Sequence, residues 1–348
     1  MQKCSKIIIS NITRKNTSFS FIYNKYNKMI LGGFCVVILI LLALNPQIYM
    51  QATLNGLVVF ASVLLPSLLP FFVFTKLLTR LNVVNTFCKI FEPVIKFLFS
   101  TSTIASYIFF ISIISGYPVG AKVLKDCYDA NLVSKKEAKK ILTFTSNSGP
   151  MFIIGTVGVG LLISKQAGYI LFFSHIIGSV LNGVFYRFIL PASNIKNTKE
   201  LPINNALNNI LNDSMESSIK SLLLIGGYIA VFFTIIELLN FYSVFDFFAY
   251  LLSPITNLFR LNSQILKVVL EGLLEVTKGC FGIKNLMLSY SGNILACTGL
   301  ISFGGICVCI QAMSFLSSIK IKASFYLLQK TTHAIFSMLV CYFLILTF

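Results

Sequence analysis

Four ionisable side chains stand at helical spacing within one apolar stretch: Lys267, Glu271, Glu275 and Lys278. Side chains three or four residues apart share one face of an α-helix. Because charged groups are costly to bury in an apolar segment, they usually face a cavity or one another. The pattern predicts a polar lining that orients a substrate or carries a coupling proton, or alternatively a self-neutralised charge cluster at a membrane-surface bend. A helix break predicted at 278–282 favours the lining.

A second candidate site is the polar interruption of an apolar helix at 145–150. Asn147, Ser148 and Gly149 would offer an amide, a hydroxyl and open backbone donors there. A half-helix that begins near Met151 would favour an anion at its N-terminus. The alternative is a proline kink whose freed backbone groups are satisfied by neighbouring helices. We favour the binding role.

A third candidate is the segment 111–122, which reads ISIISGYPVGAK. Glycine frees the backbone angles and proline lacks an amide hydrogen, so no straight helix continues through it. Broken backbone at membrane depth is tolerated only where protein buries it or where it lines a wet cavity. We therefore expect Ser115, Gly116 and Tyr117 at a solute site. Lys122 either pairs with an anionic substrate or marks the cytoplasmic boundary, and both interpretations stay open.

Counterparts later in the chain complete the set of candidates. The predicted substrate-binding residues are Ser115, Gly116, Tyr117, Lys122, Asn147, Ser148, Gly149, Glu275, Thr277, Lys278, Gly304 and Gln311. The sequence has no nucleotide-binding lysine loop, no GxSxG and no HExxH motif, so we expect no enzyme, no catalytic residue, no cofactor and no metal. His175 and His333 lie on separate apolar runs and are expected to be packed or interface residues, since neither has a ligand partner nearby in sequence.

Composition identifies the class of protein that must position these residues. Of 348 residues, 56% are hydrophobic and only 11% are charged, and the mean hydropathy is +0.84. Soluble domains carry about 25% charged residues. Apolar runs of about 20 residues, long enough to cross a bilayer, recur along the chain. We predict an all-α polytopic membrane protein, and we attribute the net charge of +17 to cytoplasmic loops and not to nucleic-acid binding.

The apolar runs and basic clusters predict an order of segments. These are a cytoplasmic N-terminal tail at 1–28, a first transmembrane span at 29–50, a first repeat at 51–190, a linker with an interfacial helix at 191–218, and a second, inverted repeat at 219–348. A short outer loop is expected at Asn45-Pro46. The true start, Met1 or Met29, stays open.

Several local features are predicted within these segments. Pro66 and Pro70 are expected to interrupt a span at 52–75, and Glu92-Pro93 to start a short apolar piece. Ser134 with the glutamate three residues later forms a capping box, so a helix should begin near Lys135. Apolar positions at helical spacing predict a surface helix at 203–218.

The second half of the chain repeats the plan of the first. Pro254 lies 161 residues after Pro93, and the helix breaks recur at offsets of about 155 to 160 residues. Basic residues place the Lys165 end of one span outside, whereas Lys320 places the end of its partner inside. The copies are therefore predicted to be inverted, with re-entrant broken helices that meet near the midplane, as in transporters.

Four segments carry a resemblance to a known family. PSLLPFFVF at 66–74, SGYPVGAK at 115–122, SNSGPMFIIGTVG at 146–158 and GLLEVTKG at 272–279 resemble the YlbJ/SpoVV sporulation integral membrane proteins, within the nucleoside-recognition Gate domain group. The similarity extends from about residue 30 to the end and leaves the tail 1–28 outside.

The resemblance implies a sporulation transporter that moves dipicolinic acid, a planar dianion, from the mother cell across the outer forespore membrane. The partners expected are this small anionic solute and the lipid bilayer, without nucleic acid, and a homo-oligomer stays open. A nucleoside-type transporter and a non-transporting scaffold needed for spore formation are the alternative functions.

Overall fold

The protein is described here from a computed structural model that covers residues 29–81, 83–191, 210–254, 262–286 and 288–347. The predicted tail 1–28 and most of the linker, 192–209, lie outside these residues. The chain divides into two compact units, residues 1–51 and 52–348. The described part of the first unit consists of one helix and the start of the next, and the candidate site lies wholly in the second.

The described residues are helical almost throughout. In chain order the helices are α1 Met29–Leu44, α2 Pro46–Val59, a π-helical turn Phe60–Leu64, α3 Leu65–Arg80, α4 Val83–Phe99, α5 Ile104–Ser115, α6 Val119–Asp129, α7 Lys135–Thr145, a π-helical segment Met151–Leu161, α8 Lys165–Ile189, α9 Ile210–Phe241, α10 Val244–Leu251, α11 Ser263–Leu274, α12 Val276–Asn285, α13 Tyr290–Phe303, α14 Gly305–Leu316 and α15 Ala323–Thr347.

Five helical stretches in the described part of the chain are long and apolar enough to cross a bilayer. They are Pro46–Leu78, Lys165–Ile189, Ile210–Phe241, Tyr290–Leu316 and Ala323–Thr347, and a sixth is counted if the pair Ile90–Phe99 and Ile104–Ser115, bent by 100°, is one span. Large apolar side chains such as Phe188 and Leu346 point away from the protein interior, as expected for side chains that face lipid. The prediction of an all-α, multi-pass membrane protein is confirmed.

One prediction about prolines is wrong. The helix is interrupted at Asn45, where a short loop was expected, but the helix that begins at Pro46 continues to Leu78 and Pro70 lies inside it. A π-helical turn precedes Pro66, where the Leu65 amide bonds to the Phe60 carbonyl five residues back. This wider turn gives the proline ring room beside the preceding carbonyls, so the helix bends without ending.

Two further elements are longer than predicted. Pro93 lies within α4 and does not start a new piece. The surface helix expected at 203–218 is wrong for the part that is described, because 210–218 is the first part of the 32-residue α9. A continuous α9 keeps all its backbone bonds within one helix, which lipid favours over a bend between two short helices.

The two halves of the second unit follow the same order of elements. A broken hairpin (α5 and α6, then α11 and α12) precedes a helix with a central break (α7 with the π-helical segment, then α13 with α14), and a long helix follows (α8, then α15). The helices α8 and α15 pack along one another, and α13 packs on α15. The internal repeat is thus visible in the order of elements, while its inversion rests on the charge pattern and stays a prediction.

Candidate solute site

Four interruptions of helices supply the candidate site. The first follows Ser115, where Gly116 takes φ +72°, and the fourth is Gly304 at φ +86°. Both angles lie in the left-handed region that glycine adopts without steric cost. The second is the non-helical stretch 146–149, and the third is a single extended residue, Glu275.

The four breaks meet in space. A Cβ added at Gly116 would lie 2.6 Å from the Gly149 nitrogen, so the first two breaks touch through their backbones. A Cβ at Gly305 would lie 3.1 Å from the Leu274 carbonyl oxygen, which joins the third and fourth. A Cβ at Gly304 would lie 3.7 Å from the Tyr117 ring, which joins the fourth to the first. The convergence predicted from the sequence is therefore present.

A cavity lies where the breaks meet. It offers about 70 Å³ to the centres of water-sized molecules, which is room for a few waters. Eight of the predicted substrate-binding residues line it: Ser115, Gly116, Tyr117, Ser148, Gly149, Glu275, Thr277 and Gln311. Apolar side chains from α3 and α9, among them Phe72 and Ile229, close its other side. An apolar chamber with a few convergent polar groups is the usual form of a small-molecule site.

Three helices begin at the wall of this cavity. Met151 opens the π-helical segment, Val276 opens α12, and Cys307 and Val308 belong to the first turn of α14. The first four backbone N–H groups of a helix have no partner within that helix, and the aligned peptide dipoles place positive charge at this end. At α12 the Glu275 carboxylate already accepts the Lys278 amide, so the backbone donors that can bind an anionic group are those of α14 and of the π-helical segment.

The third break lies at Glu275 and not at 278–282 as predicted. Glu275 takes extended backbone angles and caps α12, because its carboxylate accepts the Lys278 amide at 2.7 Å. Gly279 lies inside α12 and meets Gly272 of α11 backbone to backbone, which lets the two short helices cross closely. A capping carboxylate stops α11 and starts α12 at one residue.

The single charged face predicted for 267–278 is wrong, since the break divides it between two helices. The Nζ of Lys267 lies 3.1 Å from Asp246, and Glu271 accepts an amide hydrogen of Asn240 at 2.7 Å. Each charge has its own partner on a neighbouring helix, so these groups hold α11 in place and do not form one lining.

Four predicted site residues lie outside the cavity wall. Asn147 is fully buried and donates to Ser112 Oγ and to the Phe144 carbonyl, so it braces the second break. Lys278 points towards Glu237, 4.0 Å away. Gly304 adjoins Tyr117 without lining the cavity, and Lys122 lines a second cavity instead.

The second cavity is larger and shares part of its wall with the first. It offers about 460 Å³ to water-sized molecules, and Phe72 and Ser115 line both spaces. Lys76 and Lys122 lie in its wall with Asp126. Burial raises the pKa of the Asp126 carboxyl, while Lys122 and Lys125 act in the opposite direction. The wall therefore has more positive than negative groups.

The sequence interpretation missed a buried cluster that joins the second and fourth breaks. His175 Nε2 accepts the Ser148 amide at 2.9 Å, and its Nδ1 lies 2.9 Å from Ser302 Oγ. Lys330 donates to the Ser146 carbonyl at 2.8 Å. Ser302 lies 127 positions from His175, and Lys330 lies 184 positions from Ser146, so no local spacing links the two sides of the cluster. Only the equivalent places of the two histidines in the two repeats could have indicated the cluster.

The capping prediction at Ser134 is confirmed in part. Ser134 Oγ accepts the Glu137 amide at 3.2 Å, as a helix N-cap should. The Glu137 carboxylate does not return to Ser134, however; it accepts the Ser102 amide at 2.7 Å and so ties α7 to the start of α5.

Comparison with known proteins gives one informative relative. The chain is 27% identical over 339 residues to the sporulation integral membrane protein YlbJ of Bacillus subtilis (strain 168), which covers 91% of this chain and 83% of the relative. No family model matches the chain, and no solved structure matches it. The likeness to YlbJ is confirmed over nearly the whole length, while the Gate-domain grouping and the SpoVV detail stay predictions.

Proposed function

We propose that this chain is a sporulation membrane transporter that moves a small anionic solute, dipicolinate, from the mother cell across the outer forespore membrane. The observation that carries the proposal is the convergence of four helix breaks on one cavity inside a multi-pass membrane protein. Broken helices that expose backbone groups around a central site are typical of transporters. The proposal assigns no chemical conversion of the solute to the chain.

The cavity wall explains the choice of an anion. The N-termini of α14 and of the π-helical segment present backbone donors from two directions, and Ser148 adds a hydroxyl group, whereas the donors at the start of α12 are bound to the Glu275 carboxylate. Dipicolinate is a planar ring with a carboxylate on each side, so two helix N-termini can each bind one carboxylate. Apolar side chains such as Phe72 and Phe152 supply surfaces for the ring.

The second cavity gives the solute a route. Lys76 and Lys122 would attract an anion to it, and Phe72 with Ser115 separates it from the central cavity. The basic clusters around this part of the chain are predicted to face the cytoplasm. The route would then start on the mother-cell side, where electrostatic attraction raises the local concentration of an anion.

The assignment to sporulation is supported by the likeness to YlbJ, a protein named for that process. The likeness covers the helices that carry all four breaks, because it extends over 91% of the chain. The choice of dipicolinate rests on the resemblance and on the chemistry of the cavity together.

The dipicolinate content of spores tests the proposal. A spore-forming host that lacks its own YlbJ-type protein should regain dipicolinate when it expresses the wild-type chain, and should regain less than about a tenth as much with Thr277→Phe, which fills the cavity. A matched control is Tyr290→Phe, an exposed residue of α13. If spores that express Thr277→Phe at normal membrane abundance contained as much dipicolinate as spores with the wild-type chain, the non-transporting scaffold would be favoured. Rescue of nucleoside uptake instead would favour the nucleoside carrier.

A further inference from the structure

We infer that Lys330 is the cation that makes the central cavity selective for anions, and that the two histidines position it. The inference rests on the proposed function and deepens it, because it names the residue that decides the charge of the solute. No sequence motif marks Lys330, which lies in the middle of the apolar helix α15.

Lys330 is buried without an acidic partner. Its exposed fraction is 0%, although lysine is almost never fully buried unless it is paired. Throughout the part of the chain that the structure describes, no carboxylate lies within 4.0 Å of its Nζ. An ammonium group in such a place is stabilised when an anion comes near, since the interior screens their attraction weakly.

With Lys330 as an ammonium group, the hydrogen bonds around it assign both histidines as neutral. The Nζ donates to the Ser146 carbonyl at 2.8 Å and lies 3.3 Å from His333 Nδ1, which then accepts. His333 Nε2 therefore carries the hydrogen, which it donates to the His175 carbonyl at 3.0 Å. His175 Nε2 accepts the Ser148 amide, so its hydrogen lies on Nδ1, towards Ser302. One tautomer of each ring then satisfies every bond.

Lys330 adjoins the cavity wall. Its Nζ lies 5.8 Å from the centre of the Tyr117 ring, and Tyr117 lines the cavity. Its Cε would lie 3.6 Å from a Cβ at Gly304, so the missing side chain there leaves room for it. Lys330 donates a hydrogen bond to the Ser146 carbonyl. Ser146 is two residues before Ser148, which also lines the cavity. Only the Tyr117 side chain would thus lie between an anion in the cavity and the ammonium group of Lys330.

The acidic residue in the cavity does not cancel this charge. Glu275 is 2% exposed, and its carboxylate is bonded to the Lys278 amide at the N-terminus of α12. A helix N-terminus stabilises a carboxylate by its own partial positive charge. The other titratable groups near Lys330 are His175, His333 and Tyr117.

The histidines form a fixed support for the lysine. Their rings lie 4.7 Å apart between α8 and α15, and the residues are 158 positions apart, within the offset of the internal repeat. Each long helix thus contributes the equivalent residue to a shared centre. His333 is a positioning residue, since it bonds to the Nζ of Lys330 and through its other nitrogen to the opposite helix.

Binding by the purified full chain in lipid nanodiscs tests the inference. The probes are dipicolinate and its uncharged dimethyl ester. Lys330→Met should weaken dipicolinate binding at least tenfold and leave ester binding within about threefold, whereas Lys330→Arg should keep dipicolinate binding within about threefold. The control is Lys140→Met, because Lys140 is as deeply buried in α7 but lies away from the cavity.

The outcomes separate the two proposals. Wild-type binding that Lys330→Met leaves unchanged would overturn the inference and leave the proposed function standing. Absence of dipicolinate binding by the wild type would overturn both. If Lys330→Met lost the ester as well, the charge would not be the cause, and the inference would fall.

The histidine tautomers give a second, ligand-free test. The chain has only two histidines, so ¹⁵N-histidine labelling of untagged protein yields two side-chain spectra. We expect one ring with hydrogen on Nδ1 and one with hydrogen on Nε2, and a changed Nδ1 shift for the second ring in Lys330→Met. A doubly protonated His333 would contradict the inference, because it could not accept from Lys330.

Discussion

Gly116 illustrates how much of the site a single residue decides. It ends α5, takes a left-handed angle and touches the backbone of Gly149, so it shapes the first break and the contact with the second. Its place could be predicted from the sequence, because glycine and proline together exclude a continuing helix. The partner it touches could not, since 33 residues and two helices separate the pair.

The first prediction concerns this contact. Gly116→Ala should destabilise the protein by about 1–3 kcal/mol through its backbone angles, φ 72° and ψ 178°, which essentially only glycine adopts. The added methyl group, 2.6 Å from the Gly149 nitrogen, should cost about 1–3 kcal/mol more. Thermal unfolding in detergent measures this. Gly227→Ala is the control, because nothing lies within 4 Å of a Cβ there. Equal unfolding midpoints for the two variants would show that the breaks do not touch.

The second prediction concerns the cap at the third break. Glu275→Ala removes the acceptor of the Lys278 amide and should cost about 0.5–2 kcal/mol of folding free energy. Glu275→Gln keeps an acceptor oxygen and should cost less. Thermal unfolding of the two variants is the measurement. If Glu275→Ala matched the wild type, the break would be held by other contacts than this cap.

Residue type alone located three of the four breaks, but it did not identify which charged side chains lie near the cavity. Lys267 and Glu271 stand at helical spacing with Glu275, yet the extended backbone of Glu275 separates them from α12. A prediction from helical spacing assumes a continuous helix, so one non-helical residue between the side chains removes the shared face. Lys330 was missed for the opposite reason, because its partners come from distant helices.

At the scale of elements, the crossing of α8 and α15 holds the two halves together. Gly178 of α8 meets the backbone of Ser337 of α15, with 2.7 Å between an added Cβ and the Ser337 Cα. Small residues let membrane helices approach closely and so gain dispersion energy. This matters in lipid, because there the hydrophobic effect does not drive helices together. The same crossing brings His175 and His333 together.

The third prediction tests the crossing. Gly178→Ala should lower stability by about 1–3 kcal/mol, because the methyl group has no room between the two backbones. The control is Gly155→Ala, where the nearest atom, 3.5 Å away, is the flexible end of Met151. Unfolding midpoints in detergent compare the two. A tolerated Gly178→Ala would mean that α8 and α15 lie farther apart.

The lengths of the elements were harder to predict than their kind. Apolar runs predicted that helices long enough to cross a bilayer recur along the chain, and α8 and α15, with 25 residues each, are two of them. Prolines misled the interpretation of 46–78 and of α4, since a π-helical turn or a simple bend accommodates a proline without ending the helix. Local chemistry marks where a helix can bend, and the surrounding packing decides whether it stops.

For the whole molecule, the inversion of the two repeats is a prediction from the distribution of charge. The order of elements repeats with similar offsets, whereas the direction of each copy was inferred from basic residues at the ends of spans. The convergence of breaks could be predicted from the repeat alone. The second cavity could not, because its wall combines α3, α5, α6 and α9.

The fourth prediction tests the inversion. Single cysteines at the exposed positions Lys136, Lys165 and Lys320, in a background with the native cysteines replaced, should react with an impermeant thiol reagent from opposite sides of the membrane. We expect Lys136→Cys and Lys320→Cys to be protected in intact cells and Lys165→Cys to be labelled. Labelling of Lys165→Cys and Lys320→Cys from the same side would show that the copies are parallel.

Transport itself tests the central claim most directly. Counterflow of labelled dipicolinate into liposomes that contain the purified chain and unlabelled dipicolinate should be saturable, should exceed that of empty liposomes, and should not be competed by uridine. Gly116→Ala and Thr277→Phe should abolish it, whereas Gly227→Ala should leave it intact. Flux equal to that of empty liposomes, or full flux in Thr277→Phe, would contradict a solute site at the meeting point of the four breaks.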